Sequence, residues 1–154
     1  MKRKSMVVIG MVIGCLMMGA GAAWAGGRHN GTVTFPFADI HDLFWLENTT
    51  CLGKLTLDAA KSSAASLADG QCGLTDGSVA CNWRLPTKSE LISISGKTSK
   101  FLNVKTDQGY WASDATGSKT ATVVSMPSGN TRDSLPRESF YLWLVRNSIA
   151  RRSF

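Results

Sequence analysis

The sequence predicts an α+β domain built on an antiparallel sheet, with two short helices and long loops. Three observations carry that prediction. Apolar runs of strand length come first, two helical patterns follow, and the last third returns to strands, an order typical of α+β domains. The 154 residues are 44% hydrophobic but only 18% charged, with 15 glycines, which suits a loop-rich domain with a real core. The first 25 residues read as a segment apart. The chain therefore divides into an expected signal peptide at 1–25, a flexible leader at 26–31, the domain at 32–148 and a basic tail at 149–154.

Lys2, Arg3 and Lys4 form a basic start, Met6 to Ala23 carries no charge, and Ala23-Trp24-Ala25 is a small-x-small cleavage site. Two other readings compete. The uncharged run is long enough for an uncleaved anchor, although Gly10, Gly14, Gly19 and Gly21 weaken such a helix. Val12-Ile13-Gly14-Cys15 is a loose lipoprotein box. Cleavage after Ala25 predicts a secreted, periplasmic or cell-surface protein with no membrane contact once processed.

Removing the signal changes the charge. Three of the 17 basic residues lie in it and none of the 11 acidic ones, so the formal +6 becomes 14 against 11, or +3. The late basic residues are Arg132, Arg137, Arg146, Arg151 and Arg152. They read as a solvated tail or as a patch that meets polyanions; nucleic acid is a poor partner for an exported chain. Cys51, Cys72 and Cys81 remain after processing, which implies one bridge and one spare thiol. With His29 and His41 they show no zinc spacing, and CxxCH is absent, so no metal or cofactor is expected.

Along the processed chain, Thr32–Phe37 is a strand candidate that Pro36 brings to a stop, and Leu43–Leu46 is a short apolar run consistent with a buried one. Asn48–Gly53 is a loop that contains a glycosylation sequon, Asn48-Thr49-Thr50. Thr56–Ala68 reads as a helix. Thr56 is placed to cap it, Asp58 favours its first turn, and Leu57, Ala60, Ala64 and Leu67 form one apolar face. Gly70 is its expected stop, and the small alanines imply close packing on a sheet. Gln71–Asn82 is a loop.

In Trp83-Arg84-Leu85-Pro86-Thr87, the last residue forms a Thr-x-x-Glu capping box with Glu90. This opens a second helix, anchored by Leu91, Ile92 and Ile94 and ending near Gly96. Trp83 and Leu85 are expected in the core, and Arg84 opposite a carboxylate or carbonyls. Tyr110–Ser113, Thr120–Val124 and Phe140–Val145 read as strands.

No catalytic motif is present. His41-Asp42 with a serine, or Asp39, Asp42 and Glu47 as paired carboxylates, reads as structural or solvated rather than catalytic. Trp45, Trp83, Trp111 and Trp143 sit in apolar strands or at element boundaries and read as core rather than as sugar-stacking platforms.

The segments Asn30–Thr34, Leu43–Leu46, Cys51–Gly53, Cys72–Ser78, Trp83–Thr87 with Glu90-Leu91, Tyr110–Ser113 and Trp143–Arg146 fall in one order. In that order the chain, from about His29 to Asn147, resembles the bacterial Lcl C-terminal domain family. The resemblance implies a C-type-lectin-like fold. It also implies kinship with the head of a collagen-like surface adhesin that trimerises and binds sulfated glycosaminoglycans. The sequence lacks a Gly-x-y stalk, the calcium signatures of true C-type lectins and the cysteine pair of formylglycine-generating enzymes. Calcium-dependent sugar binding and oxidase chemistry therefore do not carry over, and without the stalk trimerisation loses its context.

Cys51 and Cys72 flank the first helix and lie in family-like segments, which favours Cys51–Cys72 as the bridge over the shorter Cys72–Cys81. The function expected is an exported, non-enzymatic binding or adhesion module, calcium-independent, for a glycan, a polyanion or a surface protein. Arg132 and Arg137, read as lying in a loop, and Arg151 and Arg152, on the tail, are its candidate contacts. The alternative is a structural subunit of a cell-surface or filament assembly, in which the chain forms homo-oligomers.

Overall fold

A computed structural model describes residues 30–37, 41–115 and 119–147. The expected signal peptide, residues 26–29 of the leader, and the tail with Arg151 and Arg152 lie outside the described residues, as do Asp39 and the side chains of His41 and Asp42. The strands are β1 (Thr32–Phe37), β2 (His41–Leu46), β3 (Lys54–Leu55), β4 (Gly109–Ala115), β5 (Ala121–Ser125), β6 (Thr131–Ser134), β7 (Phe140–Tyr141) and β8 (Val145–Asn147). The helices are α1 (Leu57–Ser66) and α2 (Lys88–Ile94), the latter followed by a 3-10 segment at Ser95–Lys100.

These strands form two sheets, β1-β2-β8 and β3-β7-β4-β5-β6. All pairings are antiparallel except β4 with β7, joined in parallel at Tyr110 and Tyr141. The larger sheet is therefore mixed rather than purely antiparallel, because the chain leaves β6 on one edge and returns on the far side of β4.

Successive residues of β4 enter opposite cores. Trp111 packs with Val123, Phe140, Leu67, Ala60 and Ala64 on the α1 side. Tyr110 and Ala112 pack with Trp45, Trp143, Val124, Leu91 and Ile94 on the other. A sheet buried on both faces has apolar residues at consecutive positions, not alternate ones. The alanines of α1 do lie against this sheet. Gly109 is required for a packing reason: a Cβ there would collide with Cγ1 of Val123 and crowd the Phe140 ring.

Phe140–Val145 is not one strand. Residues 140, 142 and 144 enter one core and 141, 143 and 145 face the other, yet strand pairing stops after Tyr141 and resumes at Val145 in the smaller sheet, with Leu144 O already accepting from Leu46 N–H at 2.9 Å. The three residues between carry the chain from sheet to sheet. β3 and β6 carry no apolar alternation, and both are edge strands.

Other details differ from expectation. Thr56 makes no side-chain cap; the first amide of α1, Leu57 N–H, donates instead to Pro136 O at 3.0 Å. α1 ends before Gly70 because Leu67 turns to extended backbone and drops into the core. Ile92 does not anchor α2; it is 41% exposed, while Leu91 and Ile94 are buried. Asn30 and Gly31 belong to the fold, since Glu47 N–H donates to Gly31 O at 2.9 Å and Thr75 N–H to Asn30 O at 3.1 Å.

Candidate functional site

Trp83–Thr87 runs beside β8. Arg84 and Val145 exchange both backbone hydrogen bonds, at 2.9 and 3.0 Å. Pro86 O accepts from Ser113 N–H at 2.8 Å, which ties the segment to β4 as well. Thr87 then starts α2 with a complete capping box: its hydroxyl accepts from Glu90 N–H at 3.2 Å, and Glu90 Oε2 accepts from Thr87 N–H at 2.7 Å. The carboxylate of Asp114 accepts from Lys88 N–H, meeting another free amide of this helix start.

Arg84 completes the cluster. Nη1 and Nη2 each donate to one oxygen of Glu90 at 2.8 Å, Nη1 also to Leu85 O, and Nη2 to Asn147 Oδ1 at 3.0 Å. The Glu90 side chain is 6% exposed and that of Arg84 40%. Burial pushes the Glu90 carboxyl up, but hydrogen bonds from Arg84 and from Thr87, with the guanidinium charge, outweigh it and hold Glu90 below the ordinary carboxylate value. The pair is thus a planar, bidentate one locked by a helix cap.

Beside it lies an open groove of about 530 Å³ between α1 and this segment, lined by Lys61, Ala64, Ala65, Trp83, Leu85 and Ser113, with Arg84 at its rim. Trp83 is buried, and its indole N–H donates to Ser78 Oγ at 3.0 Å. Trp45, Trp111 and Trp143 are fully buried too. None of the four presents a ring for stacking, so all are core.

The candidate polyanion contacts are not gathered at this groove. Arg132 lies on β6 rather than in a loop, exposed, with its guanidinium 5.0 Å from the Phe140 ring centre. Arg137 is exposed in the turn after Pro136. Neither forms an ion pair among the described residues. Arg146, by contrast, is fully structural, paired with Asp76 at 3.0 Å.

That pair was missed because its members are 70 residues apart and Asp76 reads as a loop residue. Lys61 and Asn147 were missed as well. The recurrence of Arg84 and Arg146 inside apolar segments was the only signal available.

The Cys51–Cys72 bridge is present. Cys81 is exposed, at φ +70°. The expected spare thiol is corrected: no cysteine among the described residues is free. A disulfide is compatible with an extracellular or periplasmic location. The sequon asparagine is engaged, its Oδ1 accepting from Thr50 and Asn103.

Fold and site together define a small disulfide-bridged α+β domain organised around an ion-paired Trp-Arg-Leu-Pro-Thr segment. Its sequence matches the Lcl C-terminal domain model over residues 39–146, and the chain belongs to that family. A search of curated proteins finds no match.

Proposed function

We propose that this domain is an exported, non-enzymatic binding module that recognises polyanionic glycans without calcium, on a C-type-lectin-like scaffold. One observation carries the reading. The two ion pairs absorb Arg84 and Arg146 into the fold, which leaves Arg132 and Arg137 as exposed guanidiniums on the β6–β7 stretch without an ion pair among the described residues. A guanidinium fork suits sulfate and carboxylate. Arg151 and Arg152 extend the same basic stretch in sequence.

Heparin chromatography tests it. The chain is expected to be retained weakly at low salt and released at moderate salt, as screened charges require. Retention should fall for Arg132→Ala with Arg137→Ala, fall again for Arg151→Ala with Arg152→Ala, and be indifferent to EDTA. Failure to bind at low salt removes the reading. It would leave the second one, a subunit of a surface assembly, which is favoured by the exposure of Leu102 (52%) and Ile92 (41%).

A further inference from the structure

The loop between Asp69 and Asn82 reaches three separate parts of the domain. It is held at Cys72 by the bridge to Cys51, and Leu74 seats in the core. Thr75 N–H donates to Asn30 O at 3.1 Å. Beside it Gly73 O lies so close to Gly31 that a Cβ on Gly31 would stand 2.5 Å away. Asp76 Oδ1 accepts from Ser78 N–H and Oγ–H. Its Oδ2 accepts from Arg146 Nε at 3.0 Å; Arg146 Nη2 is equally close but without hydrogen-bond geometry.

The Asp76 carboxylate is fully buried and the Arg146 side chain 6% exposed. The guanidinium sits 4.4 Å from the ring centre of Phe44 and 5.6 Å from that of Trp83. A guanidinium cannot shed its charge, so withdrawing Asp76 would leave a buried cation without its anion, a costly state. The loop therefore holds both outer strands of the smaller sheet, the start of β1 through Asn30 and Gly31, and β8 through Arg146.

We infer that the Cys51–Cys72 bridge is a redox latch on this loop. Closed, it keeps Asp76 against Arg146 and Gly73 against Gly31. Open, it frees the Cys72–Asp76 stretch of the loop, and both outer strands of the smaller sheet loosen together. Opening requires a dithiol reductant. One of its thiolates attacks the bridge at Cys51, an exposed residue; the protein S–S bond breaks and a mixed disulfide forms. The second thiol resolves it. Two electrons and two protons pass to the protein as two thiols, and the reductant leaves as its own disulfide. Closing reverses these steps with a disulfide oxidant. The smaller sheet is then complete only in an oxidising compartment.

Hydrogen–deuterium exchange on the purified oxidised chain and on its Cys51→Ser, Cys72→Ser variant, which opens this bridge and leaves the bond of Cys81 in place, tests the latch. The expected result is faster exchange in peptides covering 30–34, 72–78 and 145–147 together, by up to about a hundredfold if the loop-closure entropy of the bridge is released locally, with α2 and β5 unchanged. Acceleration confined to the neighbourhood of the two cysteines would overturn the inference, and so would a uniform increase across the domain. A second arm keeps the bridge intact. Asp76→Asn in the oxidised chain should accelerate 145–147 while leaving 51–53 unchanged, and an unaffected β8 would equally overturn it.

Discussion

Arg84 and Glu90 meet through two parallel 2.8 Å hydrogen bonds, and the same Glu90 oxygen that binds Nη1 also accepts the Thr87 amide. One carboxylate thus closes a helix cap and neutralises the arginine of the segment bridged to β8. Its removal costs both at once.

The Glu90 carboxyl is held below its ordinary value of 4.5. A group whose folded pKa is depressed adds stability that is present above the unfolded pKa and lost as pH falls through the folded one. Wild-type protein should therefore lose stability progressively below about pH 4.5. Glu90→Gln should start about 2 kcal/mol lower at neutral pH and show a flatter acid limb. Thr87→Ala, which removes only the cap, should cost about 1 kcal/mol. Urea midpoints against pH check all three, and identical acid limbs for wild type and Glu90→Gln would refute the assignment.

Trp83→Ala should destabilise by about 3–5 kcal/mol, because it opens a cavity against α1 and removes both the donor to Ser78 and a ring beside Arg146. Thermal melting measures this. Unchanged melting with lost heparin retention would instead make Trp83 a ligand contact.

Gly109→Ala places a methyl group where Val123 and Phe140 already meet. Overpacking of this kind costs about 1–3 kcal/mol. Gly70→Ala, in open space but at φ +85°, tests backbone conformation instead. If Gly109→Ala melts like wild type, the closeness of β5 and β7 across β4 is wrong.

Intact mass of exported protein should show loss of residues 1–25 and a start at Gly26. Retention of those residues, or a lipid on Cys15, would contradict it.

The sequence carried its local signals well. The Thr87–Glu90 box, the alanine face of α1 and the strand at β2 are written in adjacent residues, where spacing fixes geometry. Phe140–Val145 misled because both faces of that stretch are buried, so hydropathy cannot tell a continuous strand from one that changes sheets. Arg132 looked like a loop residue because β6, an edge strand, holds no alternating apolar residues. For the Asp76–Arg146 pair the sequence offered only an arginine inside an apolar segment: its partner and its energetics depend on burial created by Phe44 and Trp83, which no local window contains. Thr56 had the right residue type for a cap, but the Pro136 carbonyl supplied the amide's partner from across the fold.

The register of the smaller sheet fixes where the domain opens. Thr32 stands opposite Leu46 and Asn147 opposite Leu43, so the start of β1 and the end of β8 flank β2 three positions apart. That is roughly 10 Å along the strands and roughly 10 Å across two strand spacings. A short glycine-serine bridge therefore reaches from one end to the other. The domain is suited to circular permutation, and to grafting into a surface loop of a host protein without prying the host's loop apart.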